Sequence, residues 1–155
     1  MFDSSDEIWM RSAIALAKEA ESKGEVPVGA ILVFENRIVG VGRNQCIELR
    51  DPTAHAEIQA LRSGAEFMGN YRLTGTKLYV TIEPCTMCAG ALIHSRIDAL
   101  VFGAREPRSG AIRSSINVLE NTGLNHRLTV SEGILAMESS ELLSSFFKKK
   151  RNRRC

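Results

Sequence analysis

The 155-residue sequence has no apolar run near the roughly 20 residues that a membrane-spanning helix needs. Its first residues, MFDSSDEIW, are acidic and lack the basic and apolar regions of a secretory signal, so we expect a cytoplasmic protein without membrane contact. Its four cysteines are too few and too unevenly spaced for a disulfide framework. With 44% hydrophobic and 25% charged residues, the remaining possibility is one ordinary globular domain.

Positive charge is concentrated at one end of the chain. Residues 148–155, here called the basic tail, contain six of the 20 lysines and arginines, which leaves 14 basic against 18 acidic residues elsewhere. We therefore predict a globular domain over residues 1–147 and a tail that attracts a polyanion such as RNA. The alternative is a solvated terminus that only aids solubility. The candidate RNA-contacting residues are Lys148, Lys149, Lys150, Arg151, Arg153 and Arg154.

Hydrophobic periodicity predicts helices that alternate with strands. The predicted strands span 26–34, 37–41, 77–82, 99–103 and 128–130. The predicted helices span 6–24 (capped by Asp6), 54–62 and 114–121, with one opening at Pro84 and a last one through Leu142, Leu143, Phe146 and Phe147. The strand–helix–strand unit from 77 to 103 should be parallel and right-handed. These elements predict a three-layer α/β/α fold with a central mixed sheet of about five strands.

A close cysteine pair follows Pro84, which suits the first turn of a helix because it lacks an N–H group. Cys85 and Cys88 are three residues apart and would lie on the same face of that turn, where the helix dipole favours thiolates. Two thiolates do not complete a zinc site, so a further ligand must come from elsewhere in the chain.

His55 is the best candidate for that ligand among the three histidines. It lies at the start of its own predicted helix, and it can converge with Glu57 on one point only if that point lies beyond the helix end. Two cysteines, one histidine and a position left to water form an open, catalytic zinc site. Zinc lowers the pKa of that water to about 7, and Glu57 beside it can transfer the proton.

The joint pattern is H-A-E, then 26 intervening residues, then P-C-x-x-C. This is the signature of the cytidine/deoxycytidylate deaminase superfamily, and nearly the whole chain resembles the bacterial tRNA-specific adenosine deaminases. The stretches that carry the resemblance are 25–30, 51–57, 70–73, 78–97, 101–105 and 123–127. It implies a cytidine-deaminase-like fold, one zinc per subunit, a homodimer and conversion of adenosine to inosine at the wobble position of an arginine tRNA. The anticodon loop of the tRNA would be the partner.

The resemblance also assigns roles to residues outside the signature. Asn44 falls where this family has an asparagine that binds the target base, although an asparagine there could simply form a turn. Glu106 falls where many relatives have an aspartate, and a contact with the substrate backbone is expected. Pro27, Val28 and Gly29 resemble the segment that lines the base pocket, and Ala56 is a further candidate substrate-binding residue.

Three other functions remain open from the sequence. A deaminase of free cytosine or guanine would share the zinc chemistry, but it would not need a basic tail. A zinc-stabilised RNA-binding module, or an inactive partner subunit, would have no use for Glu57. A redox enzyme based on Cys85 and Cys88 would contain no zinc.

Overall fold

The computed structural model describes residues 2–121 and 123–154. Met1, Thr122 and Cys155, the last residue of the basic tail, lie outside the described residues. The helices are α1 (Ser4–Ser22), α2 (Ala56–Met68), α3 (Thr86–His94) and α4 (Ala136–Arg153), with a short 3-10 helix at Val118–Glu120. The strands are β1 (Gly29–Phe34), β2 (Arg37–Arg43), β3 (Lys77–Ile82), β4 (Ala99–Ala104) and β5 (Thr129–Glu132). In the described part of the chain, no helix is both long and apolar enough to span a membrane.

The five strands form one mixed sheet in the order β2-β1-β3-β4-β5. β1 is antiparallel to β2 and β3, whereas β3, β4 and β5 are parallel to one another. Helices α1 and α4 contact one face of the sheet, and α2 contacts the other, with α3 beside it. The predicted α/β/α layers, the five strands and the parallel β3–α3–β4 unit are therefore confirmed.

The core lies on both faces of the sheet because neighbouring side chains of a strand point to opposite faces. In β1, Ala30 and Leu32 pack towards α2 and α3, together with Phe102 of β4. Ile31 and Val33 pack towards α1, in the cluster that contains Met10 and Tyr79. Two clusters of buried side chains, one on each face, therefore hold α1, α2 and α3 against the sheet.

Helix α2 lies directly on the backbone of β2 at Gly42. A Cβ atom there would lie 2.1 Å from the carbonyl oxygen of Ala56 and 2.5 Å from the amide nitrogen of Ala60, so no side chain fits. Glycine at this position allows the helix backbone to approach the strand closely. The first turn of α2 is thereby seated against the sheet.

Several predicted boundaries are wrong for identifiable reasons. Asp3 rather than Asp6 caps α1, and Asp6 is the third helical residue of the capping box. Pro84 precedes the cap of α3 instead of lying in its first turn. Only the 3-10 helix forms within 114–121, because Ser114 is hydrogen-bonded to Glu83 and the next amides to the Gly110 carbonyl. The strand predicted from residue 26 begins at Gly29, since the Val28 amide turns back to the Val26 carbonyl.

A buried carboxylate joins α1 to β3. Asp6 Oδ1 accepts hydrogen bonds from Lys77 Nζ at 2.8 Å and from Tyr79 Oη at 2.5 Å. Burial works against the charged form, but these two bonds outweigh it and lower the pKa of Asp6 below its ordinary 3.8. A lowered folded-state pKa stabilises the fold above that value, and the contribution is lost as the pH falls through it.

We expect Tyr79→Phe to lower the free energy of unfolding at pH 7 by about 1.5–3 kcal/mol, because a hydrogen bond to a charged group is removed. The difference from the wild type should narrow as the pH falls below the ordinary aspartate pKa of 3.8 and through the lowered pKa of folded Asp6. Urea unfolding of the variant and the wild type, from pH 7 down to below about pH 4, measures both the loss of stability and its dependence on pH. Tyr71→Phe, at a tyrosine that is 70% exposed, is the matched control and should leave the stability unchanged. An equal effect of the two substitutions would contradict this interpretation.

Candidate active site

Two helix N-termini meet at the edge of the sheet. His55 is the N-cap of α2 and Cys85 is the N-cap of α3, both in extended backbone conformation. Neither side chain caps its own helix, so both are free to point beyond the helix ends. Cys88 follows in the first turn of α3 and is buried.

The three predicted ligand side chains come together. His55 Nδ1 lies 3.6 Å from Cys85 Sγ and 3.6 Å from Cys88 Sγ, and all the ligand atoms lie within 4.8 Å of one another. A tetrahedral zinc with Zn–S bonds of about 2.3 Å and Zn–N bonds of about 2.0–2.1 Å requires S···N distances of about 3.5–3.6 Å. The donor set and its spacing therefore fit zinc. Within the described ranges, no other histidine, cysteine or acidic residues form such a cluster.

The two thiols differ in their titration. A hydrogen bond from Cys88, assisted by His55, lowers the pKa of Cys85 to about 3 despite its partial burial. The same hydrogen bond raises the pKa of Cys88. The low pKa favours the thiolate form of Cys85, which is the form that binds a metal.

Glu57 lies beside this cluster but does not belong to it. The residue is only 5% exposed, in the first turn of α2. Burial raises the pKa of Glu57, and a hydrogen bond with Cys88 acts in the opposite direction. A buried acid–base group beside residues that could hold a metal ion is the arrangement that activation of a metal-bound water requires.

His55, Glu57 and Cys85 lie on the wall of a cleft of about 950 Å³. The cleft opens where β3 and β4 end, and in parallel sheets ligands bind at the carboxyl ends of the strands. Val28 and Asn44 also line it. The cleft has the size of an ordinary small-ligand site.

The predicted base-pocket residues take different positions. Asn44 Oδ1 accepts the Ala56 amide proton at 2.8 Å, which ties the side chain to the first turn of α2 and leaves its amide nitrogen as a donor. Val28 lines the cleft, but Pro27, Gly29 and Ala56 are buried and are not among its lining residues. Gly29 lies against α1 instead, since a Cβ atom there would lie 2.0 Å from the Ala13 carbonyl oxygen.

Glu106 lines the cleft, and its carboxylate is bonded within its own loop. Glu106 Oε2 accepts the Arg108 amide at 3.1 Å, the Ser109 amide at 2.6 Å and the Ser109 hydroxyl at 2.7 Å. The structure thus shows a loop-ordering role for Glu106, and a contact with the substrate backbone stays a prediction.

The basic tail continues α4. The described tail residues 148–153 are helical and Arg154 is the C-cap, so the predicted boundary at residue 147 falls inside the helix. Lys150, Arg151 and Arg154 line the cleft, together with Phe147, whereas Lys148, Lys149 and Arg153 do not. Lys149 instead lies 3.9 Å from Glu21. Three of the six basic residues of the tail therefore line the cleft, and we call them its cleft-facing half.

In the loop of residues 105–114, sequence reasoning singled out Glu106 but missed the other residues that line the cleft. Arg105, Arg108 and Ser109 line the cleft, and the buried Glu83 holds this loop in place. A usable signal was present, because Arg105 and Glu106 directly follow a strand that is parallel to β3. Residues just after such strands lie at the edge of the sheet where ligands bind.

The chain matches the family model described as MafB19-like deaminase over residues 4–151. It is 55% identical over 147 residues to the tRNA-specific adenosine deaminase of Haemophilus influenzae, covering 94% of this chain and 85% of that protein. It is 41% identical to the enzyme of that name from Bacillus subtilis, over 96% of this chain and 92% of that one.

Solved structures of two kinds of deaminase share the fold. The fold superposes with a TM-score of 0.85 and 41% identity on a structure from work on A-to-I editing by tRNA:A34 deaminases at the wobble position, covering 87% of this chain and 98% of that chain. A guanine deaminase from Nitrosomonas europaea superposes with a TM-score of 0.76 and 26% identity, over 90% of this chain and 83% of that chain.

Proposed function

Since this chain belongs to the tRNA-specific adenosine deaminases, we propose that it converts adenosine to inosine at the wobble position of tRNA, with release of ammonia. The single observation that carries the chemistry is the meeting of His55 Nδ1 with two cysteine sulfurs beside the buried carboxylate of Glu57. The similarity to proteins named tRNA-specific adenosine deaminase supports the choice of substrate.

His55, Cys85 and Cys88 would hold one zinc ion per chain. When bound, zinc acts as a Lewis acid and lowers the pKa of the attacking water. Their thiolate and imidazole groups are ligands that zinc prefers, and His55 and Cys85 also line the cleft, so a bound ion would lie at its wall.

Glu57 moves the protons of the reaction. Its carboxylate takes a proton from the attacking water and passes it to N1 of adenine as the water oxygen bonds to C6. It then transfers the proton of the new C6 hydroxyl to the amine, the C6–N6 bond breaks as the C6 carbonyl forms, and ammonia and inosine are released. Asn44 orients the ring by donating from its amide nitrogen, because its oxygen is already bonded to Ala56.

The mouth of the cleft suits a nucleic acid better than a free base. Cationic side chains line the cleft, among them Arg105, Arg108, Lys150 and Arg154. Phe147 adds an aromatic side chain that is 41% exposed. Cationic side chains bind phosphates, and an aromatic ring stacks on unpaired bases. We take the substrate to be the anticodon loop of an arginine tRNA, as the resemblance seen in the sequence implies.

The function is tested with an anticodon stem-loop that carries adenosine at the wobble position. Mass spectrometry and sequencing of the incubated RNA should find inosine at that position and none in a matched hairpin whose only loop adenosine lies elsewhere. Free guanine and free cytosine should not be deaminated. Turnover of either base without editing of RNA would identify a free-base deaminase instead.

The cleft-facing half of the basic tail should contribute most of the salt-dependent RNA binding. In Lys150→Gln/Arg151→Gln/Arg154→Gln, the slope of log affinity against log salt should flatten by about 0.7–0.9 for each phosphate group that the variant no longer neutralises. Lys148→Gln/Lys149→Gln/Arg153→Gln removes the same charge away from the cleft and is the matched control. Equal slopes for the two variants would show that only net charge matters, and zinc content should change in neither.

We also propose that the enzyme is a homodimer in the cytoplasm. Large apolar side chains are exposed on the loop after β2 and at the end of α2, among them Ile47, Phe67 and Tyr71, and such groups are typical of protein interfaces. The reduced thiols of the metal cluster fit a reducing compartment. Sedimentation equilibrium at micromolar concentration would report the mass of one chain or of two.

A further inference from the structure

Between β3 and α3, the carboxylate of Glu83 is almost completely buried, with the residue 4% exposed. Its Oε1 accepts the Glu106 amide at 3.1 Å and the Ser114 hydroxyl. Its Oε2 accepts the amides of Ile112 at 3.0 Å, Arg113 at 2.7 Å and Ser114 at 3.0 Å. All of these donors belong to the loop of residues 105–114, which we call the wall loop.

The wall loop forms one side of the cleft through Arg105, Glu106, Pro107, Arg108 and Ser109. Gly110 packs against Glu83 so closely that a Cβ atom there would lie 2.4 Å from the carboxylate carbon. The Ala111 amide also donates to the Pro84 carbonyl at 2.8 Å. The loop is therefore fastened to the two residues that lead directly into Cys85.

Glu83 must be a carboxylate for this arrangement to exist. All five groups that it binds are donors, and an amide side chain would turn N–H groups towards some of them. Four backbone N–H groups and a hydroxyl compensate the burial of the negative charge. An apolar residue would leave these donors without partners, at a cost for each buried group.

We propose that Glu83 is a positioning residue, which fixes the RNA-facing wall loop at a set distance from the metal-binding end of α3. This inference rests on the proposed function. The phosphate-binding side chains of the wall and the acid–base group at Glu57 must engage one RNA at the same time. Without the hydrogen bonds to Glu83, the wall loop would bind RNA poorly. The three metal-binding residues and Glu57 would keep their positions. Loss of Glu83 should therefore raise KM much more than it lowers kcat.

The test compares Glu83→Ala with the wild type in steady-state editing, with zinc content measured in parallel. We expect KM for the stem-loop RNA to rise roughly tenfold to 100-fold. The fold-change in kcat should be smaller than that in KM, and the variant should retain one zinc per chain. Formate can fill the space of the missing carboxylate and should restore KM in part, whereas chloride at equal ionic strength should not. Glu120→Ala, at an exposed glutamate later in the same β4–β5 connection, is the matched control and should behave like the wild type.

Hydrogen exchange gives a readout that does not depend on activity. The amides of residues 106 and 112–114 should exchange faster in Glu83→Ala and slow again in formate. If Glu83→Ala does not fold, Glu83→Gln replaces it in the KM, zinc and exchange measurements without formate, because its side-chain amide leaves no space for the anion and turns N–H groups towards the donors of the wall loop. Normal KM and normal exchange would overturn the proposal, as would a loss of kcat alone without rescue by formate. Absence of editing by the wild type would refute the proposed function instead, and the exchange rates would still decide the role of Glu83.

Discussion

Replacement of Glu57 by glutamine should reduce inosine formation by at least the factor of about 10²–10⁴ that a positioned acid–base group contributes. Glutamine has the size of glutamate but cannot take up the proton of the attacking water. Because Glu57 lies outside the cluster of ligand atoms, the variant should keep one zinc per chain and wild-type affinity for the RNA. Single-turnover editing, metal analysis and RNA titration measure the three quantities.

Glu66→Gln is the matched control, since Glu66 is an exposed glutamate of the same helix. It should edit at the wild-type rate. If Glu57→Gln retained most of its activity, another group would transfer the proton. If it lost zinc, Glu57 would be a ligand, and the fourth position would not be open to water.

Cys85→Ser should abolish both metal binding and editing. Serine is a poor zinc ligand at neutral pH, and Cys85 is the cysteine whose pKa is lowered to about 3. Wild-type preparations should contain about one tightly bound zinc per chain, and the variant should contain almost none. Its melting temperature should fall, because the free energy of metal binding stabilises the folded state. Elemental analysis and thermal unfolding measure these effects.

Cys46→Ser is the control for this variant. Cys46 is also a partly buried free cysteine, but it lies outside the metal-binding cluster. It should keep zinc and activity. A folded, zinc-free and active Cys85→Ser would refute the metal site. If both variants, Cys85→Ser and Cys46→Ser, lost the same amount of zinc, the loss would indicate a general effect on folding.

The metal-binding residues could be found from sequence because each lies at the start of a helix. Cys85 and Cys88 are three residues apart, and His55 precedes its own helix, so local geometry limits where their side chains can point. The five strands could be found for a similar reason, because their hydrophobic runs are short and bounded by turn residues. The convergence of the two helix ends was then the simplest way to complete one site.

The surroundings of the site could not be predicted in the same way. The conformation of residues 105–114 depends on hydrogen bonds to Glu83, which lies more than 20 positions earlier in the chain. No local sequence pattern predicts hydrogen bonds over such a separation. The periodicity of residues 114–121 predicted a helix, but tertiary hydrogen bonds hold the backbone elsewhere. The side of α4 that faces the cleft also depended on how the helix packs against β4. The cleft-lining half of the basic tail could therefore be told from the other half only once the fold was known.

Position 42 accepts no residue other than glycine. Any side chain at this position would meet the carbonyl of Ala56, the residue between His55 and Glu57, and would push the catalytic helix away from its strand. A deep mutational scan should therefore show intolerance at position 42 as strict as that at the metal ligands, although Gly42 has no functional group. Libraries designed to broaden the substrate range should vary the wall of the cleft and leave this contact between strand and helix unchanged.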